Sequence, residues 1–440
     1  MTNRRNFIKT SAGIVAASMA MPAFSFASQP QVSANDRIRV GLIGCRNMGW
    51  GDLADMLLNP EVECVALCDV DSNILAGRAA ELEKSHGRPP QIFHDYRRLL
   101  EIKDIDVVII GTPDHWHCLQ FTDACSAGKD VYVEKPIANS IAECEVMTRA
   151  AKRYNRIVSV GQQQRSGNHW HEMVEYINRG MLGRIARADV WGNFRYGALD
   201  KPFPDELEPQ GVDYDMWLGP APLRPFNKQR FHGSWRMFWS YGGGLMTDWG
   251  VHLLDMVLWA MNISRMPRRV TAIGGKFAYP ENAPETFDTQ QVVYELDDFI
   301  MTWSHTGGTE TGPYGRNYGM AFKGTNGTLV ADRENWEIIP ERSGADGAGK
   351  VEPLKVLSDH KERHRHLADF VACIKTRNPL TACTIEHGSL SACYAHLGNI
   401  AARTQSMLVY DENAHRFVNN PQADALLKPE YRSPRQFPGV

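Results

Sequence analysis

Apolar residues follow two patterns along this chain, and the change falls near Gly161. Before it, short and nearly continuous apolar runs close in a glycine or an acid. They are Arg37-Ile-Arg-Val-Gly-Leu-Ile-Gly44, Glu63-Cys-Val-Ala-Leu-Cys-Asp69, Asp106-Val-Val-Ile-Ile-Gly111, Asp130-Val-Tyr-Val-Glu134 and Arg156-Ile-Val-Ser-Val-Gly161. Helix-length stretches separate them, one around Asp52 to Leu58. Strands apolar on both faces, alternating with helices, predict a parallel sheet. After Gly161, apolar and polar residues alternate, with glycine and aromatic residues interspersed, over 186–194, 270–277, 290–296, 299–304 and 319–322. That period predicts a mainly antiparallel sheet with one open face. Helices are expected at 364–376 and 385–403, and the remainder reads as a proline-containing tail. The fold expected is α/β, with units at 37–161 and 162–405 and a tail at 406–440.

The first residues fit neither pattern. Asn3-Arg-Arg-Asn-Phe-Ile-Lys9 carries paired arginines, an apolar stretch runs from Ile14 to Phe26, and Ser25-Phe-Ala27 offers small residues for cleavage. This resembles a twin-arginine export signal, which implies a removable segment at 1–27, a linker at 28–36, and export of a folded protein to the periplasm. The stretch is too short, and too interrupted by Pro22, to predict a permanent membrane span. Lys and Arg number 48 against 51 Asp and Glu, so no basic excess draws the chain to nucleic acid or an acidic membrane. Its nine cysteines include no CxxC pair and sit mostly in apolar segments, the pattern of inert buried thiols.

Strand, glycine turn, helix, strand and acid, in that order, are the parts of a dinucleotide-binding unit. The turn Gly44-Cys45-Arg46-Asn47-Met48-Gly49 would set backbone N–H groups around a pyrophosphate, and Asp69 would accept from ribose hydroxyls. A carboxylate there repels a 2′-phosphate, which favours NAD over NADP. Gly44 and Gly49 fill the first and third positions of G-x-G-x-x-G, but Arg46 stands at the second. Either Arg46 swings outward to a phosphate or the loop is widened. Ligands of such sheets bind beyond the carboxyl ends of the strands. The residues there are Thr112, Pro113, His115, His117, Glu134, Lys135 and Gln163, all expected to face one cleft.

The second half concentrates its chemistry in Ser234-Trp-Arg-Met-Phe-Trp-Ser-Tyr-Gly-Gly-Gly244, continuing through Asp248 and His252 to Asp255. Glycines followed by an apolar-periodic run predict a loop entering a helix. Asp248 and His252, four apart, would share a helical face, where Asp248 orients the imidazole or both contact a polyol. Arg165, Trp235 and Tyr241 are further candidates for substrate contact, the aromatic rings by stacking on sugar C–H faces. His115-x-His117 and His364-x-His366 lack matching Cys, Asp or Glu spacing, so no metal site is expected.

Thr112-Pro-Asp-His-Trp-His117, Glu134-Lys-Pro136 and the Asp248-x-x-x-His252 segment together resemble the marker segments of the glucose–fructose oxidoreductase/inositol dehydrogenase (Gfo/Idh/MocA) family. The resemblance implies an N-terminal Rossmann domain and a C-terminal α/β domain on an open-faced sheet, and that open face makes a homodimer or homotetramer the expected assembly. It also implies roles: Lys135 hydrogen-bonds a substrate hydroxyl, His252 is the general acid/base, and Asp248 positions the sugar or His252. The substrate implied is a sugar or glycoside.

Export and cofactor constrain each other, because a compartment outside the cytoplasm offers no evident NAD pool. Tightly retained NAD that returns to its starting redox state is therefore expected. Two chemistries satisfy this: oxidation of one sugar coupled to reduction of another, or redox-neutral glycoside cleavage by oxidation, elimination, water addition and reduction. A non-catalytic sugar-binding protein is the third reading, disfavoured by the joint presence of Lys135, Asp248 and His252.

Overall fold

The computed structural model describes residues 37–197, 200–343 and 347–440; the expected signal and linker lie outside the described residues. The first unit runs β1 (Ile38–Ile43), α1 (Asn47–Met56), β2 (Val62–Cys68), α2 (Ser72–His86), β3 (Gln91–Phe93), α3 (Tyr96–Leu100), β4 (Val107–Ile110), α4 (Asp114–Ser126), β5 (Asp130–Val133), α5 (Ile141–Tyr154) and β6 (Val158–Val160). The strands form one six-stranded sheet, ordered β3-β2-β1-β4-β5-β6, and every pairing is parallel. β4 and β5 are buried at every position, which is why they read as continuous apolar runs. The first helix begins at Asn47, five residues before the expected Asp52. The glycine turn leads straight into it, and Gly49, a poor helix former, hides its first turn from a sequence reading.

The second unit contains α6 (Asn168–Asn178), β7 (Ile185–Gly192), α7 (Tyr214–Leu218), α8 (Val251–Ala260), β8 (Arg269–Gly275), β9 (Thr289–Glu295) and β10 (Ile300–Thr306). It continues with β11 (Tyr318–Gly324), β12 (Gly327–Ala331), β13 (Asn335–Pro340), β14 (Lys355–Leu357), α9 (Glu362–Thr376) and α10 (Ile385–Thr404). Its eight-stranded sheet is ordered β14-β13-β12-β11-β7-β10-β9-β8. All pairs are antiparallel except β7 with β10. Val292, Tyr294, Met301 and Trp303 bury one face; Tyr294 Oη donates to the Tyr394 carbonyl of α10 at 2.7 Å. The other face carries Arg187, Asp189 and Lys323 in ion pairs and leaves Ile273 three-quarters exposed.

Two segments depart from the expected layout. α9 lies far along the chain, yet Leu367, Phe370, Val371 and Ile374 bury themselves in the core built by β1, α1 and β2. The expected tail is packed: Leu408 pairs with Val270 through two backbone hydrogen bonds, and Phe417 and Leu427 are buried. Further on, Tyr431 Oη donates to Glu143 Oε1 at 2.5 Å, and Arg432 binds Asp215 of α7. Its few apolar residues, spaced among polar ones, had concealed that packing. All nine cysteines are free and eight are buried; burial pushes the Cys64 thiol up to about 12.

Candidate active site

The glycine turn is a backbone-to-backbone junction. Gly44 has φ +89°, open to glycine but strained for other residues, and a Cβ there would lie 2.8 Å from the Gly111 carbonyl carbon. A Cβ on Gly111 would come within 2.5 Å of Gly49 Cα, so β1, α1 and the end of β4 meet without side chains between them. From sequence alone Gly111 reads only as a strand end. The first turn of α1 has no side-chain cap, leaving its N–H groups to a ligand. Asp69 Oδ2 accepts from Cys45 N at 2.7 Å and Oδ1 from Asp71 N at 3.0 Å, which fixes the carboxyl at the end of β2. Burial raises its pKa, against the pull of those two N–H groups.

A cleft opens over this junction, lined by Gly44, Arg46, Asn47, Met48, Asp69, Thr112, Pro113 and, from the second unit, Met216, Trp217, Trp235 and Arg236. Arg46 Nη1 is buried there with no hydrogen-bond partner. An orphaned guanidinium nitrogen, uncapped helix N–H groups and a fixed carboxylate are the donors and acceptor that a dinucleotide's phosphates and ribose require, so the residues fit NAD. Cys45 contributes only its backbone; its thiol turns inward to the Cys68 carbonyl.

Other expected cofactor contacts are ties within the protein. His115 Nε2 bonds the Trp217 carbonyl at 3.0 Å, and its ring packs on Trp217 and Tyr241. His117 lies between the carbonyls of Pro136 at 2.8 Å and Thr112 at 2.7 Å. Burial lowers both imidazoles to about 4. Gln163 Nε2 is engaged by Glu134 Oε1 at 2.8 Å and by Tyr132 Oη at 3.0 Å. Glu134 also accepts from Lys135 N at 3.2 Å. These bonds brace the strand end that presents Lys135.

Lys135 Nζ donates to Asp248 Oδ1 at 2.7 Å and to the Asp248 carbonyl at 2.8 Å. Arg236 Nε reaches the same Oδ1 at 3.2 Å, and Tyr196 bonds the carboxylate as well. Burial pushes the Asp248 carboxyl up, but Lys135 and Arg236 outweigh it and hold it at about 2. Asp114, at the start of α4, is buried beside Arg236, Asp248 and Lys135; burial drives its pKa well above the ordinary value.

Asp248 does not orient His252. The segment Met246–Gly250 is a π-helical turn that runs into α8, so the four-residue spacing no longer follows an α-helical face. His252 Nδ1 instead meets Gln162 Oε1 at 2.7 Å. An amide oxygen only accepts, so Nδ1 carries the proton and Nε2 is left as a base. Burial first, then the positive charges of Lys135 and Arg333, lower the imidazole pKa well below 6.5.

Two expected substrate contacts are committed elsewhere. Arg165 forms a buried, two-pronged pair with Asp255 at 2.7 and 2.9 Å. Tyr241 is fully buried against His115 and Trp217. Trp235 lines the cofactor cleft with Arg236 stacked on its ring at 4.3 Å. Sequence reasoning missed Arg236 and Asp114 as members of the site, and it did not foresee that Tyr196 would bond Asp248 or Gln162 would hold His252. Arg236 lies inside the Ser234–Gly244 run and Asp114 inside Thr112–His117, so both signals are present in the sequence.

A parallel dinucleotide-binding sheet that presents Lys135 beyond β5, with Asp248 and His252 brought to it by the π-helical turn and α8, defines an NAD-binding oxidoreductase. Two family models match: the oxidoreductase family's NAD-binding Rossmann fold over residues 38–162, and its C-terminal alpha/beta domain over 190–295 and 351–437. The chain belongs to the Gfo/Idh/MocA oxidoreductase family. It is 28% identical over 391 residues to a protein of Shewanella baltica (strain OS185) named glycosyl hydrolase family 109 protein, covering 79% of this chain and 76% of that one. Among solved structures it resembles the WlbA dehydrogenase from Bordetella pertussis, in complex with NADH and UDP-GlcNAcA. That match has TM-score 0.62 and 18% identity, over 85% of this chain and 99% of that one. The aldose-aldose oxidoreductase from Caulobacter crescentus matches with TM-score 0.63 and 17% identity, over 85% and 99% of the two chains. At these identities the structural likeness establishes the fold.

Proposed function

We propose that this NAD-binding oxidoreductase acts on a ring hydroxyl of a sugar or glycoside, with the cofactor retained between turnovers. The observation that carries the reading is the neutral His252, its Nδ1–H held by Gln162 and its Nε2 free to accept a proton, beside Lys135. When bound, NAD supplies the hydride acceptor for the carbon bearing that hydroxyl. His252 Nε2 takes the hydroxyl proton, and Lys135 Nζ donates a hydrogen bond to the same oxygen as it becomes a carbonyl. Asp248 fixes Lys135 through two hydrogen bonds; Arg236 and Tyr196 keep Asp248 in place.

Net glycoside cleavage is the second reading, favoured by the family 109 relatives across most of the chain. There the new ketone acidifies the neighbouring C–H, the aglycone leaves, water adds, and the ketone is reduced again. Export by the twin-arginine route agrees with retained cofactor. The open face of the eight-stranded sheet supports a homodimer or homotetramer, which light scattering tests.

Purified protein, given free sugars and aryl glycosides without added NAD, separates the readings. Oxidised sugar products without aglycone support oxidoreduction; aglycone without net NADH supports cleavage. Neither product from any sugar refutes both, and an absence of nucleotide on gentle denaturation refutes retention.

A further inference from the structure

Behind Arg236, which lines the cleft, Lys135 and Arg236 share the Asp248 carboxylate. Arg333, in the turn between β12 and β13, has no such partner: among the described residues its guanidinium makes no ion pair and no hydrogen bond. It lies 4.6 Å from the centre of the Trp249 ring, and that ring centre is 6.5 Å from the centre of the His252 imidazole. Phe194 and Tyr318 pack on the same indole at 4.3 and 5.0 Å, so Trp249 is a platform for the guanidinium rather than an open stacking face.

The acids nearby are engaged or too distant. Asp332 binds Arg316 at 2.9 Å and accepts from Glu334 N and Asn335 N, which pins the turn that carries Arg333. Glu334 faces His360 at 3.5 Å, Glu134 is bonded to Gln163, and Glu362 contributes only at longer range. A partly buried guanidinium without a paired acid is costly to maintain. Its planar fork matches a carboxylate or sulfate with two parallel hydrogen bonds.

We propose that Arg333 recognises an anionic substituent, a carboxylate or a sulfate ester, on the sugar whose hydroxyl meets His252. The proposal rests on the site assignment above and narrows its substrate to acidic sugars. Held by the indole and the pinned turn, Arg333 is preorganised, so an acidic substrate supplies the missing charge without rearrangement of the loop.

The test uses the full NAD-loaded chain and matched methyl glycosides: each hexose, its uronic acid and its 6-O-sulfate, in gluco, galacto and manno configurations. In the configuration the enzyme accepts, an acidic form exceeds the neutral one in kcat/KM on the order of tenfold or more, mainly through KM. The uronate and sulfate arms identify which anion is read. In Arg333→Gln the acidic-to-neutral ratio falls roughly ten- to a hundredfold, and Arg333→Lys restores part of it. Equal or better turnover of the neutral member overturns the assignment of Arg333 alone, as does a Gln variant that weakens both members equally. Failure to turn over any member, whatever its charge, overturns the site assignment and this inference with it.

Discussion

Asp248 balances two cations, and replacing it with asparagine isolates what that balance contributes. In the wild type its carboxylate lies 2.7 Å from Lys135 Nζ and 3.2 Å from Arg236 Nε, about a tenth exposed. Its pKa falls from 3.8 to about 2, which corresponds to about 2.5 kcal/mol of net stabilisation after burial has been overcome. Because the folded value is the depressed one, this stabilisation is present above pH ~4 and disappears as pH falls toward 2. The asparagine amide cannot ionise, so the variant lacks this term at neutral pH and also leaves Lys135 and Arg236 without an anion. The expected loss is about 2.5 to 5 kcal/mol at pH 7, read by guanidinium unfolding of both proteins. Activity should fall by at least about a hundredfold, since Lys135 loses its anchor as well as its field. NAD content should be unchanged, because Asp69 and the glycine turn are untouched. An Asp248→Asn protein within about 1 kcal/mol of wild type, the value of an exposed pair, would refute the electrostatic account.

Further outcomes follow from the same geometry. Gly49→Ala drives a Cβ into the Gly44 carbonyl oxygen and against Gly111, so nucleotide content and thermal stability should both fall, by about 1–3 kcal/mol for the latter; retention of full NAD content refutes the backbone cradle. His252 is neutral well below pH 6.5, so kcat/KM should stay level as pH drops from 7 to 6, and an acid limb centred near 6.5 contradicts the assignment. His252→Ala should lower kcat by about a hundredfold or more. Tyr431→Phe leaves Glu143, whose pKa is raised to about 7, short of one donor, at a cost of about 1–3 kcal/mol in chemical unfolding. A raised carboxyl pKa favours the folded state at low pH and loses that advantage as pH rises through 7, so the Tyr431 effect should grow from pH 6 to 8.

Much of this was legible because the physics is local. The six-stranded sheet announced itself through strands buried on both faces, and the acid ending β2 lay where a ribose would need it. β3 went unseen because it is short and mostly exposed, with too little apolar content to register. Lys135, Asp248 and His252 do lie near one another, but their partnerships were illegible. Hydrogen-bond geometry from a π-helical turn exchanged the expected Asp248–His252 contact for Lys135 and Gln162. Arg165 and Tyr241 show the opposite failure: polar residues beside a motif, consumed by packing that only the folded chain reveals.

The return of α9 to the first unit has a kinetic consequence. With Leu367 and Phe370 seated in the core beneath β1 and α1, the dinucleotide-binding layer is stitched to the rest of the fold on both sides of the β7–β14 segment. A cleft held this way cannot gape by swinging one lobe from the other on a single linker. Cofactor exchange then depends on displacing the local wall at Trp217, Trp235 and Arg236. A helix that lines no part of the cleft thereby limits the ways in which the cleft can open.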